Sequence, residues 1–445
     1  MKSPVFRSFF LSLAVLVGLL LLGFLPNWGI GGWESKPVDL LADLAPCDSS
    51  TDTAAVVDVP ISRDSCKAGV TCLAEYAHDT AANMAYFYAA LTQVAKRPVR
   101  IAFLGDSFVE ADILTDALRD MMQQHFGGLG PGYVGLNHIA VASRKTIRQQ
   151  RGGFEMHSAV DEQYEATLPD LGGYYFIPQE QPFVELSGNA DYSPRLARAE
   201  VSQFLLLTRG TPVTLTATTE SGKTQHFTIP GDYGLHAATF NAPMQRVRWT
   251  ISEESNAVCY ATTLDANTGV AVDNLSLRGS TGLTITAIPQ DYLRRLDDLR
   301  HYDLVVLQYG LNVLQRGKRN YRSYTQQVVR MINHLRAAMP TTAFLVVGLA
   351  DHDAKLPDGS IGTLPELMPL IEAQATAAAQ AGVAFWNTFE AMGGKDSMLQ
   401  FVTATPPKAA RDYTHINEQG GQHIARQLFN ALNWGFEQWK QNNTQ

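Results

Sequence analysis

The pattern of apolar and polar positions begins with an uncharged, strongly apolar run from Phe9 to Leu25, preceded by Lys2 and Arg7. This run is just long enough to span a bilayer, and no A-x-A cleavage site follows it. We therefore expect residues 1–33 to be an uncleaved signal anchor with its positive flank inside, in preference to a cleaved signal peptide. Both interpretations carry the rest of the chain out of the cytoplasm.

The next segment, residues 34–78, is rich in Asp, Ser, Thr and Pro and is typical of a linker or irregular collar. Residues 79–149 then show helical spacing, followed by the β-branched and apolar run PVRIAFLGDS and a second stretch with helical spacing. A strand, a tight turn and a helix in this order mark the beginning of an α/β domain.

Helical periodicity fades over residues 150–272, where short runs alternate apolar and polar positions between Ser-Gly, Pro-Gly-Asp and Asn-Ala-Pro turn signals. This pattern predicts an inserted all-β domain of sandwich type. Over residues 273–445 buried-strand and amphipathic-helix patterns alternate again. The chain is therefore predicted to form an α/β domain, a parallel sheet with helices on both faces, interrupted by the β insert.

Composition and charge narrow the function classes. The hydrophobic fraction of 45% and charged fraction of 18% are ordinary for a globular protein. A net charge of −8 argues against nucleic acid as a partner. Cys47, Cys66 and Cys72 cluster after the anchor, and Cys259 lies far downstream. We expect a disulfide among the first three, with the pairing open, and no zinc site, because the spacing lacks a C-x-x-C pair.

Three short motifs follow predicted strands, where open α/β sheets place their ligands. In Gly105-Asp106-Ser107, the glycine permits a tight turn, Asp106 braces it, and Ser107 is expected at the start of a helix, exposed as a nucleophile. In Gly310-Leu311-Asn312, the glycine allows close backbone approach and the asparagine amide is a candidate oxyanion donor.

The third motif, Asp412-Tyr413-Thr414-His415, places an aspartate three residues before a histidine. Such a carboxylate can fix the imidazole tautomer so that Nε2 accepts the Ser107 proton. Each motif alone has an ordinary structural explanation as a turn or a helix cap. Together they supply nucleophile, base, orienting group and oxyanion donor, and they predict a Ser107–His415–Asp412 triad that needs no metal or organic cofactor.

In these motifs the chain resembles the SGNH/GDSL hydrolases, whose four conserved blocks look like those around Ser107, Gly279, Asn312 and His415. The resemblance implies a flavodoxin-like sheet. It also implies an oxyanion hole formed by the Ser107 and Gly279 N–H groups and the Asn312 side chain.

A closer resemblance is to the peptidoglycan O-acetylesterases of Gram-negative bacteria. It rests on GDS-x-x-x-x-D, on FGGLGPGYVGL, on GVAVDNLSLRGSTG and on the position of a β-rich insert that looks like a carbohydrate-binding module. It implies a periplasmic, inner-membrane-anchored esterase that removes O-acetyl groups from peptidoglycan or another glycan. Two alternatives stay open: an O-acetyltransferase served by a membrane acyltransferase partner, and a non-catalytic glycan-binding protein.

Overall fold

The computed structural model describes residues 29–30, 33–34, 67–77, 79, 82–252 and 255–443. Strands β1 (Gly29–Ile30) and β2 (Trp33–Glu34) pair antiparallel. The rest of the predicted anchor, most of the linker, Cys47 and Cys66 lie outside the described residues. Among the helices that are described, none is long and apolar enough to cross a bilayer.

A parallel sheet forms the centre of the α/β domain, with the strand order β14-β4-β15-β16-β19-β3, in which only β3 runs antiparallel to its neighbour. Its strands are β3 Leu73–Ala74, β4 Pro98–Gly105, β14 Gly269–Ser276, β15 Leu304–Gln308, β16 Ala343–Val347 and β19 Ala384–Trp386. All residues of β14, β15 and β16 are buried, and most of them are apolar, the exceptions being Asp273, Asn274 and Ser276 of β14 and Gln308 of β15. The predicted α/β architecture is confirmed.

Helices cover both faces of this sheet. They are α1 Met84–Leu91, α2 Thr115–Phe126, α3 Gln290–Arg300, α4 Arg322–Ala338, α5 Leu367–Ala381, α6 Thr388–Met392, α7 Ser397–Thr403 and α8 Glu418–Asn443. Alternate residues of β4 enter two different cores, because successive side chains of a strand point to opposite faces. Phe103 packs in a core with residues of α1, α2 and α8, whereas Leu104 packs in a core with residues of α3, α4 and α5.

A nine-stranded sheet, antiparallel in its pairings, holds the segment predicted as a β insert. Its strands are β5 Gly132–Gly135, β6 Ile147–Ser158, β7 Tyr174–Gly188, β8 Ala199–Thr208, β9 Val213–Thr219, β10 Thr224–Ile229, β11 Leu235–Met244, β12 Arg246–Ile251 and β13 Ala257–Leu264. The sheet begins before residue 150, because β5 pairs with β13 and β6 starts at Ile147. A separate ribbon, β17 (Asp353–Lys355) with β18 (Ile361–Thr363), lies beyond β16.

The strands of this segment are hydrogen-bonded into one continuous antiparallel sheet, whereas the sequence pattern predicted a sandwich of two packed sheets. The sheet curls so that its two end strands contribute to a shared core around the buried Trp249 of β12. The ring centroids of Phe227 in β10 and Phe240 in β11 lie 5.4 Å and 6.4 Å from that of Trp249. Alternation of apolar positions does not reveal whether strands belong to one curled sheet or to two, because both bury one face.

A buried ion-pair network joins the antiparallel sheet to the parallel sheet, all within the unit Val59–Gln445. The fully buried Arg300 of α3 donates to Asp273 of β14 at 2.6 Å and to Asp265, just after β13, at 2.8 Å. Burial alone would raise the pKa of Asp273, but the Arg300 guanidinium holds it below its usual value.

Cys72 is disulfide-bonded to a partner outside the described residues. Cys259 is a free, buried thiol. Both observations agree with the expectation of a disulfide among the first three cysteines.

Candidate active site

Three adjacent strands of the parallel sheet bring the predicted motifs to one edge. Strand β4 lies between β14 and β15, and Gly105 at its end pairs with Ser276 on one side and Gln308 on the other. Ser107 follows β4 and Gly279 follows β14, while Asn312 follows β15. Residues up to 205 positions apart in the sequence, such as Ser107 and Asn312, therefore lie at the carboxyl edge of the sheet, where open α/β sheets place their ligands.

Ser107, His415 and Asp412 form a hydrogen-bonded series in that order. Ser107 Oγ is 3.1 Å from His415 Nε2, and His415 Nδ1 is 2.7 Å from Asp412 Oδ2. Ser107 is buried, whereas the side chain of His415 is one-third exposed. This arrangement can pass the serine proton to the imidazole while the carboxylate holds the ring.

Asp412 is fixed by its own loop. Its Oδ1 accepts the backbone N–H groups of Thr414 and His415, both at 3.0 Å. Partial burial would raise the pKa of Asp412, but the N–H and the ring of His415 and the N–H of Thr414 lower it below its usual value. The carboxylate is therefore ionised wherever the histidine can act as a base.

The turn that carries Ser107 is held by close packing. A Cβ at residue 105 would come within 2.3 Å of Val109 Cγ2, so this turn requires glycine. The fully buried Asp106 accepts the Phe108 N–H at 3.0 Å. Burial raises the pKa of Asp106 to about 6. Asp106 thus braces the turn and contacts the backbone, as expected.

One expectation about Ser107 is wrong: it does not begin a helix. Helix α2 starts only at Thr115, and the intervening 3₁₀ turn Glu110–Asp112 contains two left-handed residues, Ala111 (φ 58°) and Asp112 (φ 66°). The buried Asp112 carboxylate accepts hydrogen bonds from Thr115, Arg119, Arg144 and Thr146. These hydrogen bonds hold Asp112 in the interior, and the α-helix begins only after it, at Thr115.

The two other loops supply candidate oxyanion donors. Gly279 has φ 81°, which favours glycine, and Gly310 has φ 131°. The Asn312 side chain donates one amide hydrogen to the Ser280 carbonyl at 2.9 Å. Since the amide carries two hydrogens, the other is available to a ligand, and the Ser280 contact ties Asn312 to the Gly279 loop.

Residues 245–423 match the profile of the GDSL-like Lipase/Acylhydrolase family. The matched range contains Gly279, Asn312, Asp412 and His415. These residues therefore form a GDSL-like acylhydrolase domain. This acylhydrolase is a carboxylic ester hydrolase. The matched range does not include Ser107, and strands β5 to β11 lie between the serine loop and residue 245.

The acylhydrolase is similar to the solved structure "Peptidoglycan O-acetylesterase in action, 5 min", with 20% identity over 82% of this chain and 99% of that chain and a TM-score of 0.68. This likeness shows a shared fold. Family two carbohydrate esterases from Cellvibrio japonicus (10% identity, 66% of this chain, 99% of that chain) and Clostridium thermocellum (9%, 63%, 100%) each give a TM-score of 0.27. No curated protein sequence matches the chain.

Sequence reasoning about this acylhydrolase missed the residues that hold its loops together. The buried Glu110 accepts both the backbone N–H and the Nε–H of Arg278, at 3.1 and 3.0 Å. Asn274 of β14 donates to the Val109 carbonyl at 2.8 Å. Gln374 of α5 donates to the Tyr309 carbonyl at 2.6 Å and thereby supports the Gly310 turn. The sequence offered no signal for these contacts, because the partners lie in separate segments of the chain.

The Asp351-His352-Asp353 segment after β16 also lies at this edge. The buried Asp351 accepts hydrogen bonds from His352, Thr363, Ser397 and Met398. The Asp353 N–H donates to the Tyr413 carbonyl at 3.1 Å, within the loop that carries His415. The segment thus supports the histidine loop. The described residues contain no group of three or more metal-ligating side chains.

Proposed function

We propose that this acylhydrolase removes O-acetyl groups from an extracytoplasmic glycan, with peptidoglycan as the first candidate, through an acyl-Ser107 intermediate. The observation that carries the proposal is the hydrogen-bonded series Ser107–His415–Asp412 at the carboxyl edge of the sheet. The shared fold with a structure described as a peptidoglycan O-acetylesterase supports the choice of substrate.

The proposed reaction has two steps. His415 Nε2 takes the Ser107 proton while Oγ attacks the acetyl carbonyl, and the protonated imidazole then gives that proton to the departing sugar oxygen. In the second step His415 takes a proton from water, the hydroxide attacks the acetyl-serine, and acetate leaves as Oγ regains a proton. Asp412 stabilises the imidazolium in both steps through its 2.7 Å contact with Nδ1.

The negative charge that develops on the carbonyl oxygen needs donors at the same edge. The Ser107 and Gly279 N–H groups and the second amide hydrogen of Asn312 are proposed for this role. Removing one such donor typically costs about 10²- to 10³-fold in kcat, so the loops that position them contribute directly to catalysis.

The proposed location is the periplasm, with the chain anchored in the inner membrane by residues 1–33. The positively flanked apolar run supports an anchor, although it lies outside the described residues. The disulfide-bonded Cys72 supports an oxidising compartment.

The decisive experiment measures acetate release from O-acetylated peptidoglycan by the full-length protein and by its Ser107→Ala variant, with and without an acceptor oligosaccharide. Serine-dependent acetate release without acceptor is expected. Acetylated acceptor with little free acetate would reassign the protein as a transferase. Wild-type turnover in Ser107→Ala would refute the mechanism.

A further inference from the structure

The loop after Asn312 carries an unusual charge pattern. Arg316, Lys318, Arg319 and Arg322 follow within a stretch that contains no acidic residue from Val313 to Arg322. Residues 315–320 are all exposed. Among the described residues, none of these four cations forms an ion pair with a carboxylate.

Hydrogen bonds connect this loop to the histidine side of the active site. Arg316 Nη2 donates to the carbonyl of Lys355 in β17 at 3.2 Å. Two residues earlier in the same strand, the Asp353 N–H donates to the Tyr413 carbonyl, between Asp412 and His415. A fifth exposed cation, Arg411, directly precedes Asp412. Lys355 is itself exposed, whereas Arg322 is the first residue of α4. We define the cationic rim as Arg316, Lys318, Arg319, Lys355 and Arg411.

The rim differs from other parts of the surface. The whole chain carries a net charge of −8. Many exposed arginines elsewhere are matched by acids, as in the pairs Arg148–Asp191, Arg246–Glu185 and Arg294–Asp291. Near the rim, Glu366 accepts the Gly317 N–H and Asp358 accepts from Ser360, and among the described residues neither forms an ion pair with a rim cation. An acidic protein that leaves cations unpaired at one edge creates a local field that attracts anions.

We propose that the cationic rim binds carboxylates of an anionic O-acetylated glycan and so holds the ester beside Ser107. This inference rests on the proposed function and names its substrate class: glycans with carboxylates on the sugars or on attached peptides. Guanidinium groups suit this role because their planar donors match a carboxylate in two parallel hydrogen bonds. Several weak ion pairs along one polymer together increase its affinity, whereas a small neutral ester forms no such ion pairs.

The test compares the full-length wild type with the Lys318→Glu/Arg319→Glu variant, both positions being exposed and outside regular elements. The matched control is Lys96→Glu. Lys96 is exposed but precedes β4, so that the eight residues of this strand, about 26 Å at 3.3 Å each, separate it from the Ser107 edge.

Three substrates distinguish binding of an anionic glycan from the chemical step. They are O-acetylated peptidoglycan, neutral acetylated xylan and 4-nitrophenyl acetate. At low salt the rim variant is expected to raise KM for peptidoglycan about fivefold or more with kcat retained. Turnover of the two neutral esters should not change, and Lys96→Glu should behave as wild type. Raising the ionic strength to 0.15 M, where the screening length is about 8 Å, should bring the wild-type KM towards that of the variant.

An unchanged KM for peptidoglycan in the rim variant would overturn the proposal. So would rim-dependent binding to phosphatidylglycerol vesicles with unaltered glycan kinetics, because the rim would then face a membrane. A failure to hydrolyse any glycan ester would refute the proposed function. Glycan binding by the rim is then tested separately, by co-sedimentation of the Ser107→Ala protein with insoluble peptidoglycan. Retained binding after the Lys318→Glu/Arg319→Glu change would then refute the proposed role of the rim.

Discussion

The Glu110 carboxylate accepts two hydrogen bonds from Arg278, one from its backbone N–H and one from its Nε–H. Glu110 lies three residues after Ser107, and Arg278 lies one residue before Gly279. The pair therefore fixes the spacing between the two loops whose N–H groups are the proposed oxyanion donors. Glu110 is 9% exposed and the Arg278 side chain 65%, so the buried carboxylate and the backbone N–H are the essential partners.

We expect Glu110→Ala to lower kcat roughly tenfold to a hundredfold with little change in KM, because a misplaced donor weakens transition-state binding more than substrate binding. Arg278→Met keeps the backbone N–H and should lose much less. Steady-state kinetics with 4-nitrophenyl acetate check both variants. A purely structural role for Glu110 would instead leave kcat intact and lower only the melting temperature.

Asn312→Ala should lower kcat by about 10²- to 10³-fold, since it removes the proposed side-chain oxyanion donor. Asn312 is exposed, so the free energy of unfolding should change by no more than the loss of its hydrogen bond to Ser280, about 1 kcal/mol. Activity and denaturant unfolding measured together separate the two effects. An active Asn312→Ala enzyme would exclude this residue from the oxyanion hole.

Asp106 should make the protein less stable as pH rises through the acid range. Its pKa is about 6 in the folded state and 3.8 as an ordinary carboxyl, so between those values the unfolded state ionises while the folded state does not. Stability from this group is complete below pH 3.8 and falls until about pH 6, by on the order of 3 kcal/mol.

The variant Asp106→Asn keeps an acceptor for the Phe108 N–H and removes this titration. Its melting temperature, measured from pH 4 to pH 7.5, should fall less with rising pH than that of the wild type. Parallel curves for the two proteins would contradict the buried, weakly ionised state assigned to Asp106.

Arg300→Met should destabilise the protein by about 3–5 kcal/mol, because it leaves Asp265 and Asp273 buried without their cation. Arg294 provides a matched control on the same helix, since it is exposed and paired with Asp291 at the surface. Arg294→Met should change stability by less than about 1 kcal/mol. Urea unfolding of the three proteins tests the contrast, and equal effects of the two substitutions would count against a buried network that joins the sheets.

The sequence by itself determined the local elements and the blocks of the candidate site. Buried strands were readable because parallel strands covered on both faces are apolar throughout. The Asp412–His415 contact was predictable because it lies within one short loop. Ser107, Gly310 and Asn312 were found because each follows such a strand, and a parallel sheet brings the carboxyl ends of its strands together.

Only the tertiary structure decided which distant residues pair. Glu110 and Arg278 are 168 positions apart, and no periodicity in either segment points to the other. The delayed start of α2 at Thr115 depends on Asp112, whose partners Arg144 and Thr146 come from another part of the chain. Whether the β strands form one sheet or two also depends on pairing across the fold. Local patterns report which face of an element is buried, whereas its partner is chosen by the global free energy of the packed chain.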